Sequence, residues 1–277
     1  MMERIRRSWE LFKASWAMLQ EDKTLLRYPV VSGIAVIVLA VLIGGPLALA
    51  GAFNEDDIGP VQIAALFVVY FVVYTAITFC NAAMVSEVMA RMGGQRSSTT
   101  GWAFARQNMG PILGYAAIAA TVGVLLNLLS RRDDIGSQLV GALGGAAWGL
   151  ATFLVVPVLV VERVSPIDAL KRSASLLKRT WGEQIIGNAG IGLFTGLLIV
   201  ATVLLGVGLV MAAAATGLVA LVVIAVAIAV VAVAAVAAVS SALDTIYRAA
   251  VYRYATGEPI QDYAAADVIP AAFRVKR

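Results

Sequence analysis

Four carboxylates, those of Glu87, Glu162, Glu183 and Asp244, lie beside apolar stretches of this chain. Paired carboxylates can perform general acid–base chemistry, and one at mid-membrane depth would mark a proton or ion relay. These four instead fall at the inner ends of apolar runs and form no compact cluster. The chain has no histidine, and Cys80 is its single cysteine. A Ser-His-Asp arrangement, an internal disulfide and a Cys/His metal cluster are therefore excluded by composition. Cys80 reads as a small buried apolar residue, and Glu55, Asp56 and Asp57 read as a solvated loop. The expectation is a protein that is not an enzyme, with no catalytic residue, no metal and no cofactor.

Two other patterns could bind or conduct. Tyr70, Tyr74, Thr78 and Asn81 fall within about 80° of one another on a helix turning about 100° per residue. Such a stripe either lines a cavity or hydrogen-bonds to neighbouring helices. The second pattern is the segment Ser165–Trp181, SPIDALKRSASLLKRTW, which carries Lys171, Arg172, Lys178 and Arg179 between two apolar runs. Ser165 suits a helix cap, Pro166 the first turn, and Asp168 the positive helix end. Ile167, Leu170, Ala174, Leu177 and Trp181 follow at steps of three and four, as in a helix lying in a membrane interface with its cations toward anionic headgroups. Those cations either set threading alone or bind lipid or a partner. Before the first apolar run, Ile5, Trp9, Phe12, Trp16 and Leu19 repeat the pattern, with Trp9 and Trp16 suited to the headgroup level. Trp102, Ala105, Met109 and Ile112 form a weaker copy.

The elements that must carry these residues are membrane spans. Of 277 residues, 61% are hydrophobic and 14% charged, with mean hydropathy +0.88, far outside globular usage. A spanning helix needs about 20 apolar residues. The uncharged runs give spans at about 29–51, 60–86, 110–130 and 137–161, and the run from Gln184 to Leu243 must fold back near Met211–Gly217, giving two more at about 184–210 and 218–243. Ala and Val alternate in the last, but both are apolar, so it reads as helix rather than barrel strand. The fold class is all-α: a polytopic bundle, residues 1–277 as one domain, of six transmembrane helices arranged as three hairpins. Each hairpin follows an amphipathic interfacial helix, at about 3–26, 98–109 and 166–181, and a tail occupies about 255–277. Because charge-rich N-terminal residues precede it, the first span reads as a retained anchor rather than a signal peptide.

Nineteen of the 21 basic residues fall on one side of this threading, leaving Arg131 and Arg132 on the other beside Glu55–Asp57, Asp133 and Asp134. The positive-inside rule then places both termini in the cytoplasm. Within the spans, Gly141, Gly145 and Gly149, together with Gly192 and Gly196, permit close helix approach within the bundle or in an oligomer. Kinks are expected at Gly44–Pro46 and Pro157, and Asp244 and Arg248 have the spacing of a helix ion pair.

Ser15-Trp16, Asp22-Lys23, Leu25-Leu26 and Tyr28-Pro29, the run CNAAMV in the second span and AVYRYATGEP leaving the sixth give the chain a familiar look. It resembles a family of uncharacterised prokaryotic six-helix integral membrane proteins. SPIDALKRSASLLKRTWG is similar, more distantly, to the membrane domain of some glycerophosphodiester phosphodiesterases, whose soluble catalytic domain has no counterpart here. The resemblance implies this architecture and a bacterial or archaeal cell membrane, and supplies no catalytic residues. Two function classes follow. One is a membrane scaffold whose interfacial helices bind lipids, anionic headgroups on the cytoplasmic side, or a protein partner, with no nucleic acid involved. The other is a channel or facilitative transporter, as an oligomer, with the Tyr70–Asn81 stripe toward the pore.

Overall fold

The computed structural model describes residues 2–51, 59–94, 100–130, 135–181 and 190–260. Within them the chain is helical, and six helical stretches are long and apolar enough to cross a membrane: Lys23–Leu49, Pro60–Met92, Met109–Ser130, Gly136–Glu162, Gly196–Ala214 and Val219–Thr256. The expected loop acids Glu55–Asp57 and Asp133–Asp134, the arginines Arg131 and Arg132, Glu183 and the tail from 261 lie outside the described residues.

Helix α1, Met2–Glu21, ends at Asp22, whose carboxylate accepts from the Thr24 amide at 2.9 Å and so caps the short 3-10 turn Lys23–Leu26. The first span continues as α2, Arg27–Leu39, then a π-helical turn, Ala40–Gly44, and α3, Gly45–Leu49. The irregularity expected at Gly44–Pro46 is this wider turn, one turn before a proline that cannot donate a backbone hydrogen bond. Helix α4, Pro60–Met92, starts on proline, and the Gln62 side chain accepts from the Gly59 amide at 3.1 Å. Helices α5, Gly101–Gln107, and α6, Met109–Ser130, follow. The fourth span is divided into α7, Ile135–Ala151, and α8, Val155–Glu162. Helix α9 is Pro166–Trp181, α10 Gly190–Ala214 and α11 Val219–Thr256, the last two joined through Gly217 at φ +72.

At about 1.5 Å per residue, the 33 residues of α4 and 38 of α11 are longer than the roughly 30 Å hydrocarbon layer. Their excess length gathers at one end of the bundle, and so does the buried core. Ala82–Val85, Val88 and Met92 of α4 and Ala242, Leu243, Ile246 and Ala249–Tyr252 of α11 are buried there with Leu25, Tyr28, Ala105 and Leu176. The opposite halves of α10 and α11 bury little, since Leu204, Leu205, Val219 and Val231 are all exposed. Apolar exposure of this kind is what hydrocarbon, rather than water, would solvate.

Small residues mediate close approaches selectively. A Cβ on Gly101 would lie 2.2 Å from the Ala83 carbonyl oxygen, so α5 sits on the α4 backbone only because that position is glycine. In the fourth span Gly141 meets Ser130 of α6, whereas Gly145 and Gly149, like Gly196 in α10, face open space. The side chain position of Gly192 lies outside the described residues.

Candidate functional site

The ends of the spans that carry the charges are joined by carboxylates. Glu87 of α4 accepts from Arg27 at 2.6 Å, from the Tyr28 hydroxyl, and from the Gly101 amide at 3.0 Å, tying α2, α4 and α5 together. Arg91 donates to Asp22. Partial burial pushes the Asp22 carboxyl up, but hydrogen bonds from the Thr24 hydroxyl and amide, with the Arg91 charge, outweigh it and hold it below the usual aspartate value. Glu162 accepts from Arg172 at 3.0 Å and from the Tyr252 hydroxyl at 3.1 Å. Arg253, buried in α11, donates to the Met89 carbonyl at 3.2 Å and the Pro259 carbonyl at 2.9 Å. Each carboxylate is thus committed to a protein partner, an arrangement that fixes helices against one another.

A second cluster surrounds the break in the fourth span. Pro157 cannot donate to the carbonyl four residues earlier, and its ring crowds that oxygen. That residue is Phe153, within the turn between α7 and α8. Arg248 of α11 donates to the Phe153 carbonyl at 3.1 Å, lies 4.6 Å from the centroid of its ring, and is itself held by Asp244 at 2.7 Å. The Leu154 amide, also freed by the break, donates to the Ser173 hydroxyl of α9 at 3.0 Å. Non-helical backbone in a membrane protein persists only where such partners replace the missing ladder. The expected Asp244–Arg248 pair is therefore present, and its arginine has a further task.

Helix α9 starts as its residues dictate: the Ser165 hydroxyl accepts from the Asp168 amide at 3.2 Å and donates to the Asp168 carboxylate at 2.7 Å. Its buried face is Ala169, Ser173, Leu176 and Leu177, packed on α6, α7, α8 and α11. Relative to the stripe Ile167, Leu170, Ala174, Leu177 and Trp181, this face is rotated by roughly a quarter turn at about 100° per residue. Ile167 and Ala174 are exposed, Leu170 is half-buried, and the Trp181 side chain lies outside the described residues. The physical reason is small size: Ala169 and Ser173 let α9 approach the bundle, and the freed Leu154 amide rewards that approach.

The rotation divides the four cations. Arg172 and Arg179 flank the buried face and turn back to the protein, Arg172 to Glu162 and Arg179 to the Ala255 carbonyl at 2.9 Å. Lys171 and Lys178 are exposed on the side opposite the buried face, with Ile167 and Ala174 beside them. Helix α1 is also two-sided. Ala14, Ser15, Met18 and Leu19 are buried toward the protein, while Trp9 and Trp16 are exposed and Phe12 half-buried. The three rings stack in a row with centroids 5.4 Å and 6.4 Å apart, and the Lys13 ammonium lies 5.5 Å from the Trp9 ring. The Ile5 side chain lies outside the described residues. Trp102 of α5 instead turns inward, with its ring 4.7 Å from Tyr28 and 5.9 Å from Phe79.

The polar stripe of α4 meets α6. Tyr70 and Tyr74 stack 6.0 Å apart, and a Cβ on Gly123 of α6 would lie 3.2 Å from the Tyr70 ring and 3.4 Å from that of Tyr74. Thr78 is buried and Asn81 half-buried. Residue types alone did not single out Ser173, Gly101, Arg253 or the Arg27–Tyr28–Glu87 cluster. A discoverable signal existed only for Ser173, a small polar residue at helical spacing from Ala169 and Leu176 on the otherwise cationic α9.

Six apolar helices with their polar contacts gathered at one end define a multi-span helical bundle of the membrane-embedded class. Residues 60–260 match the family of unknown function DUF6159, and the chain belongs to that family. No curated protein and no solved structure matches it.

Proposed function

We propose that this chain is a nonenzymatic multi-pass protein of a bacterial or archaeal cell membrane that gathers anionic lipid headgroups at its cytoplasmic face. In this reading three helical hairpins each follow an interfacial helix, α1, α5 or α9, and both termini are cytoplasmic because the basic residues concentrate on that side. The observation that carries it is the division of α9: its arginines turn to protein acceptors, while Lys171 and Lys178 point away from the bundle. Two lysines beside an anionic leaflet contribute about 1 kcal/mol each before salt screening. The exposed Trp9–Phe12–Trp16 row of α1 supplies an amphipathic surface suited to the same depth. For the conduit reading, the Tyr70–Tyr74 pair fits a helix–helix contact on Gly123 better than a pore wall.

The test is spin-labelled phosphatidylglycerol against labelled phosphatidylcholine in nanodiscs. Changing Lys171 and Lys178 together to Gln should lower the selectivity for phosphatidylglycerol several-fold at low salt, about thirtyfold at most if each charge contributes in full. Unchanged selectivity in correctly folded protein sinks the proposal.

A further inference from the structure

On the flank of α4 that faces α2 and α6, an apolar crevice of about 280 Å³ is lined by Leu39, Phe71, Thr75, Ala76, Phe79 and Leu113. Its one hydroxyl, that of Thr75, donates to the Phe71 carbonyl at 2.7 Å and is committed to its own helix. Water needs two to four polar partners to reside in a cavity, and this wall offers it none. The lining residues of α4 lie about 12 to 24 Å along the helix from Glu87, at about 1.5 Å per residue. That is the depth of acyl chains, not of headgroups, in a layer about 30 Å thick. A series of ring contacts, passing through the buried Tyr28, links the crevice wall to a cation. Phe79 meets Trp102 at 5.9 Å, Trp102 meets Tyr28 at 4.7 Å, and the Arg27 guanidinium lies 4.9 Å from the Tyr28 ring. The Arg27 side chain stays 43% exposed although it pairs with Glu87.

We propose that this crevice is a binding site for one acyl chain of an anionic phospholipid, with the lipid phosphate seated over the exposed edge of Arg27. The inference rests on the lipid-binding reading and deepens it by adding a defined chain site, lined by α2, α4 and α6, to the headgroup contacts of Lys171 and Lys178. Side chains of three helices line it, whereas Leu204 and Leu205 of α10 are simply exposed to whatever surrounds the protein. A chain in the crevice touches aromatic walls on α4 together with Leu39 of α2 and Leu113 of α6, and so exchanges more slowly than one resting on α10.

The experiment uses full-length protein in nanodiscs containing a phosphatidylglycerol with a diazirine in mid-chain, followed by peptide mapping of the cross-links. Adducts should concentrate at Phe71–Phe79 and Leu113, several-fold above those at Leu204–Leu205. Ala76→Leu, which fills the crevice with apolar volume, should remove that excess while leaving adducts on α10 unchanged, and Arg27→Gln should reduce it for phosphatidylglycerol more than for phosphatidylcholine. Equal adduct density on both faces, or an excess that survives Ala76→Leu, overturns the proposal. Should Ala76→Leu fold poorly, competition of the wild-type cross-link by unlabelled lipid gives the same decision: an excess that does not compete is not a site. Because the readout is the acyl chain, its failure is separable from loss of headgroup selectivity at Lys171 and Lys178.

Discussion

At the level of single residues, the most consequential side chain is one that carries no charge. Ser173 brings a hydroxyl to the Leu154 amide, which the break at Pro157 leaves without a helical acceptor. Replacing it with Ala strands a buried donor, so Ser173→Ala should cost about 1–3 kcal/mol, read as a lowered midpoint of thermal unfolding in detergent. Ser175→Ala serves as the control, because the Ser175 hydroxyl donates at 2.8 Å to Arg172 in its own helix and its residue is exposed. An equal effect of the two substitutions would remove the structural role assigned to Ser173. Asp22 makes a prediction in pH. Its folded value lies below the ordinary one, so its contribution to stability is present above about pH 3.9 and is lost as pH falls through the depressed folded value. The stability difference between wild type and Asp22→Asn should therefore shrink only in strongly acid solution, and a difference that already vanishes near neutrality would show that Thr24 and Arg91 do not hold this carboxylate.

Among the elements, the fourth span shows how far residue patterns reach. Pro157 marks an irregularity, and Asp244 and Arg248 mark a helical ion pair, each from local spacing alone. That the arginine of one answers the carbonyl freed by the other depends on how α8 and α11 pack, which no local pattern encodes. The same limit explains α9: its amphipathic period is visible, but the choice of Ala169 and Ser173 as the buried face is made by the neighbours. The six spans were readable because hydrophobic length is a local property, and the Tyr70–Asn81 stripe because helical angle is. Whether that stripe faced a pore or Gly123 was not. The partnership across the break has a measurable form. Pro157→Ala restores an amide able to serve Phe153, and Arg248→Gln removes the substitute donor, so the two changes should be non-additive. A double-mutant cycle on unfolding stability should give a coupling of about 0.5–3 kcal/mol, with Arg248→Gln costing less in the Pro157→Ala background. Strict additivity would mean that Arg248 acts through Asp244 alone.

For the whole molecule, burial and charge point the same way. The core lies at the end of the bundle where Glu87, Glu162, Arg91 and Arg253 join the helices, and the other half is left to long apolar helices that leave many large side chains exposed. In the proposed membrane placement the packed end lies at one membrane surface, with α10 and α11 extending from it across the hydrocarbon. The sidedness of that layer is the proposal on which both lipid readings depend, and single-cysteine labelling decides it. In a Cys80→Ala background, which removes the chain's single thiol, reporters at Ile58 and Ile135 should react with a membrane-impermeant maleimide in intact cells. Reporters at Ser175 and Ala264 should react only after the membrane is opened. Ser175 is the decisive position because its residue is exposed in the structure, so protection there reports the membrane barrier rather than burial in protein. Nineteen of 21 basic residues favour the cytoplasmic placement. Labelling of Ser175 from outside would invert the molecule, carrying Lys171, Lys178 and the ring row of α1 to the opposite leaflet and the proposed headgroup contacts with them.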